Sequence, residues 1–459
     1  MNCSFWRDRM VAREPRLDGG FMQALRPELY AFLISTLLVA VAACGDDDSA
    51  SISPDGGGIN PDGGSTEELI VDGWLLNDGD DQAAILENDD GSPALVNVFD
   101  VEVTTDTVTI TTDSVPDYAT EMNQAILDEL AARPRFDTDF PTGIDAAVGD
   151  TIEFGQDIGF ANINCAGATP GAGYWAQGPS CGAPVRNVVS FPRNPQPWTS
   201  ASAVTQCDSG IVAGYFINGV QMAGWSDTMS YESEGVWNNL AARLEVYDLD
   251  ICGGHQNPGG YHHHQYSRCI ADRLDDSGDA HSPLYGFALD GYPTYGPYHS
   301  DGELSESCWK MREYDMVEGI GTCDGLGSRT CLLNDPYDVS AGTTSAKLPG
   351  PTTAETVNSL SGVEFSASAG LYLEDYYYDS ACTAQGERYL DEHNGHEHDE
   401  LSYHYHITID DSGDHTFPFV PGPTLYGETL QPCADPTSIG GGGGGGGGMG
   451  GGGMGGMGG

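Results

Sequence analysis

Histidine is the residue type with the most chemistry to offer here. All 12 histidines lie between His255 and His415, and the other 298 residues contain none. Two segments repeat one pattern: 259–266 reads GGYHHHQY and 401–409 reads LSYHYHITI. In a strand, alternate side chains share a face. His262 and His264 then point one way and Tyr261 and His263 the other. His404 and His406 share a face, with Tyr403 and Tyr405 opposite. If the two segments pair or face one another, four imidazoles converge, with His255 just upstream in a Gly-rich turn. Neutral imidazole suits Zn(II), Cu(II), Ni(II) or Fe(II), and Asp290 would complete the sphere or orient a ring. The candidate ligands are therefore His255, His262, His264, His404 and His406, with Asp290 added, for a divalent transition metal, copper or zinc.

Other readings of the same residues stand beside this one. Imidazoles in His-x-His strands also bond simply to backbone or tyrosine, which would make this a non-catalytic surface module with structural histidines. His393, His396 and His398 lie in an acidic, polar segment that reads as exposed, and His263 and His299 read as structural. The adjacent tyrosines read as packing. An extracytoplasmic metal-dependent hydrolase or oxidoreductase would need an open coordination position and a pocket; whether the chain is an enzyme stays open. There is no GxSxG, HExxH or P-loop motif. Asp275-Asp276-Ser277-Gly278-Asp279 recurs as Asp410-Asp411-Ser412-Gly413-Asp414. Such loops can hold calcium, lack the full EF-hand spacing, and are more often plain turns; the echo hints at a duplication.

The elements that must position these residues are mainly strands. Residues 96–100 and 101–110 alternate as strands, and 214–220 and 287–290 look strand-like. Thr120 to Arg133 has helical spacing (Met122, Ile126, Leu130) and stops before Pro134. A second helix is indicated around Ser233 to Leu244. The Gly/Pro-rich stretch 164–200 reads as looped and disulfide-stapled. Asp290-Gly291 is a turn signal, with Pro293 and Pro297 setting bends. The expected fold class is mainly β, with α+β as the alternative: one large disulfide-stapled domain with a few short helices.

Composition sets the compartment. Of 459 residues, 17 are Lys or Arg against 69 Asp or Glu, a net charge of −52 that excludes a basic patch for nucleic acid. Residues 31–43 form an apolar run too short to span a bilayer comfortably, ending at Cys44 in a lipobox-like Val-Ala-Ala-Cys. Residues 1–43 thus read as a lipoprotein signal peptide, with Met22 as an alternative start, and Cys44 as the lipidation site. The expected location is the cell envelope, at the outer membrane or cell surface, with the lipid anchor in the membrane. Protein or small-molecule partners are not legible. Excluding Cys3 and Cys44, ten cysteines remain, enough for up to five disulfides in an exported protein. Residues 44–66 form an acidic Gly/Pro linker, 67–94 a lead-in, 95–433 the folded domain, and 434–459 a Gly/Met-rich tail expected to be disordered.

An ordered series of motifs resembles the YHYH-domain proteins: GGHQNPGGYHHH (253–264), HSPLYGFALDGYPTYGPY (281–298), LDEHNGHEHDELSYHYHIT (390–408) and FPFVPGPTLYG (417–427). The earlier segments 108–118, 190–198 and 210–220 fit the same resemblance. It implies an exported or lipid-anchored protein with one β-rich domain, and carries over no activity. His263 stands where the family usually has a second tyrosine. His393 stands where a cysteine is common, which removes one expected disulfide partner.

Overall fold

Short polar turns and alternating apolar residues build this protein from hairpins. The computed structural model describes residues 65–77, 81–88, 90–161, 182–199, 211–314, 325–398 and 401–430. The leader, Cys44, the linker through residue 64, Cys165, Cys181, Cys207, Cys323, Cys433 and the Gly-rich tail lie outside them. A three-stranded sheet comes first, from β1 (Val98–Val103), β2 (Thr107–Thr112) and β3 (Asn187–Pro192). The expected break between 100 and 101 falls instead at residues 104–106. There the Thr104 hydroxyl accepts the amides of Asp106 and Thr107 and turns the chain. β3 also corrects the expectation that 164–200 is all loop, because its alternation pairs with β2 across six residues.

Eight strands then form the central sheet: β4 (Val212–Phe216), β5 (Gln221–Ala223), β6 (Gly254–Asn257), β7 (Gly260–His263), β8 (Leu284–Ala288), β9 (Pro293–Tyr295), β10 (Gly395–His398) and β11 (Leu401–His406). Their spatial order is β6-β7-β5-β4-β8-β9-β11-β10. The order is two copies of one four-stranded unit, set back to back. In each unit an antiparallel hairpin comes first, β4–β5 or β8–β9. A second hairpin follows, β6–β7 or β10–β11, and its last strand adds in parallel to the first hairpin.

The turns agree in detail. Asn218 accepts the Val220 amide and Asp290 accepts the Tyr292 amide, both at 3.2 Å. The next residues, Gly219 and Gly291, have φ of +76° and +86°, which glycine adopts without strain. At the junction Tyr215 of β4 pairs with Phe287 of β8. These two residues occupy equivalent places in their units, so a local two-fold axis passes between them. A Cβ on Gly214 would stand 2.1 Å from the Phe287 carbonyl oxygen, and one on Gly286 would stand 2.3 Å from that of Tyr215.

Both faces of the sheet are covered. On one, Tyr215, Ile217, Phe287 and Tyr295 pack with Val98, Val108, Ile110 and Phe191 from β1–β3, with Ile70 of α1 (Thr66–Asp72) and with Trp74 just after it. On the other, Phe216, Val220, Met222, Tyr261 and Tyr285 pack with Tyr118, Met122 and Ile126. The helix expected over 120–133 is shorter, Gln124–Ala131 (α2), because extended Asn123 caps it through the Ile126 amide. Around 233–244 only Ala241–Leu244 is helical, with a 3-10 turn at Tyr231–Ser233. Disulfides join Cys252 to Cys269 at the start of α3 (Arg268–Arg273), and Cys308 to Cys382 in the long excursion between β9 and β10. Among the described residues no helix is long and apolar enough to cross a membrane.

Candidate metal centres

Each unit ends in a Tyr-His-x-His strand, and one device holds both strands in place. Asp250 precedes β6 and accepts the amides of Cys252 and Gly254 and the Tyr261 hydroxyl. Asp391 precedes β10 and accepts the amides of His393 and Gly395 and the Tyr403 hydroxyl. A Cβ on Gly254 or Gly395 would lie 2.5 or 2.4 Å from those tyrosine oxygens, so glycine is needed at both. Gly253 and Asn394 then share a positive φ. With the tyrosine anchored on one face, alternation sends His262 and His264, or His404 and His406, to the other.

The rings are also oriented alike. Nδ1 of His264 donates to the Gly224 carbonyl and Nδ1 of His406 to that of Gly296, each at 2.6 Å. Nδ1 of His262 donates to Gly260 and that of His404 to Ser402. A carbonyl oxygen only accepts, so each Nδ1 carries the proton and each neutral ring presents a lone pair at Nε2. Across the hairpins His255 pairs with His262 and His396 with His404. Three imidazoles per unit thus gather on one face of the sheet, at its two ends. Five strand spacings separate β7 from β11, roughly 24 Å at the usual spacing of paired strands.

At the first end, Nε2 of His262 and His264 face each other at 3.2 Å. Glu245 places an oxygen 3.3 Å from Nε2 of His264 and 3.5 Å from Nε2 of His255. All four residues are buried. Lone pairs and a carboxylate that meet this closely repel one another unless a cation lies among them. Burial lowers the His255 pKa to about 4 against the pull of Glu245. Burial opposes charge on His264 too, but the hydrogen bond and charge of Glu245 raise its pKa. Burial likewise favours neutral Glu245, and His255 and His264 overcome that and lower its pKa. A proton on His264 is one cation that satisfies the cluster; a metal ion is another. Asp227 lies close enough for Glu245 to raise its pKa, after burial, to about 6.

The second end is richer in imidazole. Donor nitrogens of His281, His398, His404 and His406 lie within 4.8 Å of one another, and those of His299, His396 and His398 do the same. Nε2 of His396, His404 and His406 is buried and receives no hydrogen bond. An unsatisfied buried acceptor costs about 1–3 kcal/mol, which bound cations would remove. Burial, then neighbouring rings, holds His396 at about 2. Burial, opposed by the bond to Ser402 and helped by neighbouring rings, holds His404 at about 3. Both are therefore neutral at pH 7, the form that binds metal.

The sequence-derived ligands are thus divided between two places. His255, His262 and His264 come together at one end and His404 and His406 at the other; the two segments neither pair nor face one another. Asp290 joins neither group. It lies on the tyrosine face, where it accepts from the Tyr405 hydroxyl and the Gly427 amide. His396 and His398, expected to be exposed, are buried and point inward, because Gly395–His398 is a strand whose burial alternates around exposed Glu397. His393 is buried as well, and its Nδ1 bonds Thr424. His299, expected to be structural, belongs to the second cluster, whereas His263 does bond the Tyr118 hydroxyl.

Sequence reasoning missed Glu245, His281, His299, His396 and His398. The signal for His396 was present: Asp250-x-x-x-Gly254-His255 recurs as Asp391-x-x-x-Gly395-His396. In the Asp-rich echoes, Asp276 accepts the Ser282 and Tyr285 hydroxyls and ties its loop to β8, whereas Asp410 accepts the amides of Ser412 and Asp414 and serves its own turn.

Compared with known proteins, residues 188–409 match the family model described as YHYH protein. That span contains all eight strands of the central sheet and both histidine clusters. No curated protein and no solved structure gave a match.

Proposed function

We propose that this chain, which carries a YHYH domain over residues 188–409, is an exported, lipid-anchored envelope protein that binds a transition metal, copper or zinc. The observation that carries the reading is the convergence of buried, lone-pair-bearing Nε2 atoms at each end of the sheet, with Nδ1 of His262, His264, His404 and His406 each fixed by a backbone carbonyl. Backbone bonds of this kind orient metal-ligating histidines and set their tautomer. The residues suit copper and zinc: imidazole alone at one end, imidazole with one carboxylate at the other. His255, His262 and His264 with Glu245 would hold the first ion. His281, His398, His404 and His406 would hold the second.

Export is supported by the Cys252–Cys269 and Cys308–Cys382 disulfides, since such bonds persist in oxidising compartments, and by the lipobox-like sequence ending at Cys44. Burial of the ligands favours holding metal over turning over a substrate, because catalysis needs an open position beside a pocket. The test is metal analysis of the natively exported protein after exposure to copper and zinc. The expected result is stoichiometric metal that falls in both His262→Ala and His404→Ala. Substoichiometric metal, unchanged by either substitution, would remove the proposal.

A further inference from the structure

The six imidazoles of the second end do not share one focus. His281, His398, His404 and His406 already supply four donors, which is the full set for a tetrahedral ion. His299 and His396 are left over. The ring of His299 neighbours His396 at 5.6 Å and His398 at 4.4 Å between centroids. It groups with these two and not with His281, His404 or His406. Nδ1 of His299 and Nε2 of His396 are buried acceptors that receive no hydrogen bond. The His396 tautomer is set from behind, where Nδ1 bonds the Glu387 carbonyl. A single ion at the first focus would leave both of these nitrogens unsatisfied.

The kind of ion follows from charge. Among the described residues, neither donor group at this end includes a carboxylate: one is His281, His398, His404 and His406 and the other His299, His396 and His398. At the first end Glu245 supplies a negative charge and Asp227 a second carboxyl. Two divalent ions would bring four positive charges into a buried shell of neutral ligands. The penalty for burying an ion grows with the square of its charge, so monovalent ions suit this shell. Imidazole binds copper well, and copper is the imidazole-binding metal with a stable monovalent state.

Resting on the metal-binding reading above, we propose that the second end holds two copper(I) ions. One sits on His281, His398, His404 and His406 and the other on His299 and His396, two donors being a full set for linear copper(I).

The experiment uses the full exported chain, stripped of metal, under nitrogen with ascorbate, which leaves disulfides intact. Copper(I) is titrated against the competing chelator bicinchoninate, for the native protein and for His299→Gln. His299 is only partly buried, so this change should leave the fold in place. The expected result is one copper fewer per chain in His299→Gln, with the affinity of the rest unchanged. A second measurement keeps copper(I) throughout. In crystals of the copper(I)-loaded protein, an anomalous difference map at the copper edge should show two peaks at the second end for the native protein and a single isolated peak for His299→Gln. Equal copper counts with isolated centres in both proteins would overturn the pair while leaving metal binding standing. A native protein that retains no copper would overturn both.

Discussion

The two ends of the central sheet share one backbone and differ in what surrounds it. Gly254 and Gly395, Tyr261 and Tyr403, and Asp250 and Asp391 do the same work, and the ring bonds to Gly224 and Gly296 have the same length. The residues around the rings have diverged. Asp227, three residues past Gly224, corresponds to His299, three residues past Gly296. The first cluster gained Glu245 from the end of a short helix, whereas the second gained His281 and His398. The paired hairpins thus fix three imidazoles apiece, and the loops set the charge of the ion they suit.

This comparison can be broken in four ways. The largest effect is expected from removing a ligand at one end only. His262→Ala should abolish tight metal binding at the first end, and His404→Ala at the second, each leaving the other end's affinity intact in a metal titration. Loss of metal from both ends after one substitution would mean that the ends are not independent.

Next comes the turn residue that differs between the units. Burial, opposed by the bonds from Tyr405 and Gly427, raises the pKa of Asp290 from 3.8 to about 6, where the first unit has Asn218. The folded protein keeps this proton after the unfolded chain has lost it. The resulting stability is complete below about pH 4 and disappears as pH rises through about 6, a change on the order of 3 kcal/mol. Asp290→Asn should flatten that fall in denaturant titrations of the metal-free protein. An identical pH profile would contradict the assignment.

A smaller effect is expected at the tyrosine anchors. Tyr261→Phe and Tyr403→Phe should each cost about 1–3 kcal/mol, since each removes a donor from a buried carboxylate. Similar losses in chemical denaturation would sharpen the equivalence of the units, and a loss in one alone would break it. The smallest effect is Glu245→Gln, where the amide keeps an oxygen donor at the first ion and loses only the charge; it should weaken metal there about tenfold and leave the second end unchanged by calorimetry.

Much of this was legible in the sequence, for local reasons. Alternation alone separated His262 and His264 from Tyr261, and His404 and His406 from Tyr403 and Tyr405. The Asp290-Gly291 turn and the β-rich class also followed from local pattern. Strand order did not, because parallel pairing of β7 with β5 and of β11 with β9 joins segments distant in sequence. Without that order, two similar motifs looked like halves of one site when each completes its own. Composition hid His396 and His398, since the acidic residues around them suggest solvent. The informative feature was the period: Gly395-His396-Glu397-His398 is itself an alternating strand, with the glutamate outward. Glu245 and His281 are brought in by packing between elements, and no local pattern marks them.

The most direct test of two separate centres is an anomalous difference map, recorded at the copper edge from crystals of the copper-loaded protein. The account predicts density at both ends of the sheet, roughly 24 Å apart by strand spacing, one region among His255, His262 and His264 and the other among His281, His404 and His406. Density at neither cluster, or at a single position shared by His262 and His404, would contradict it.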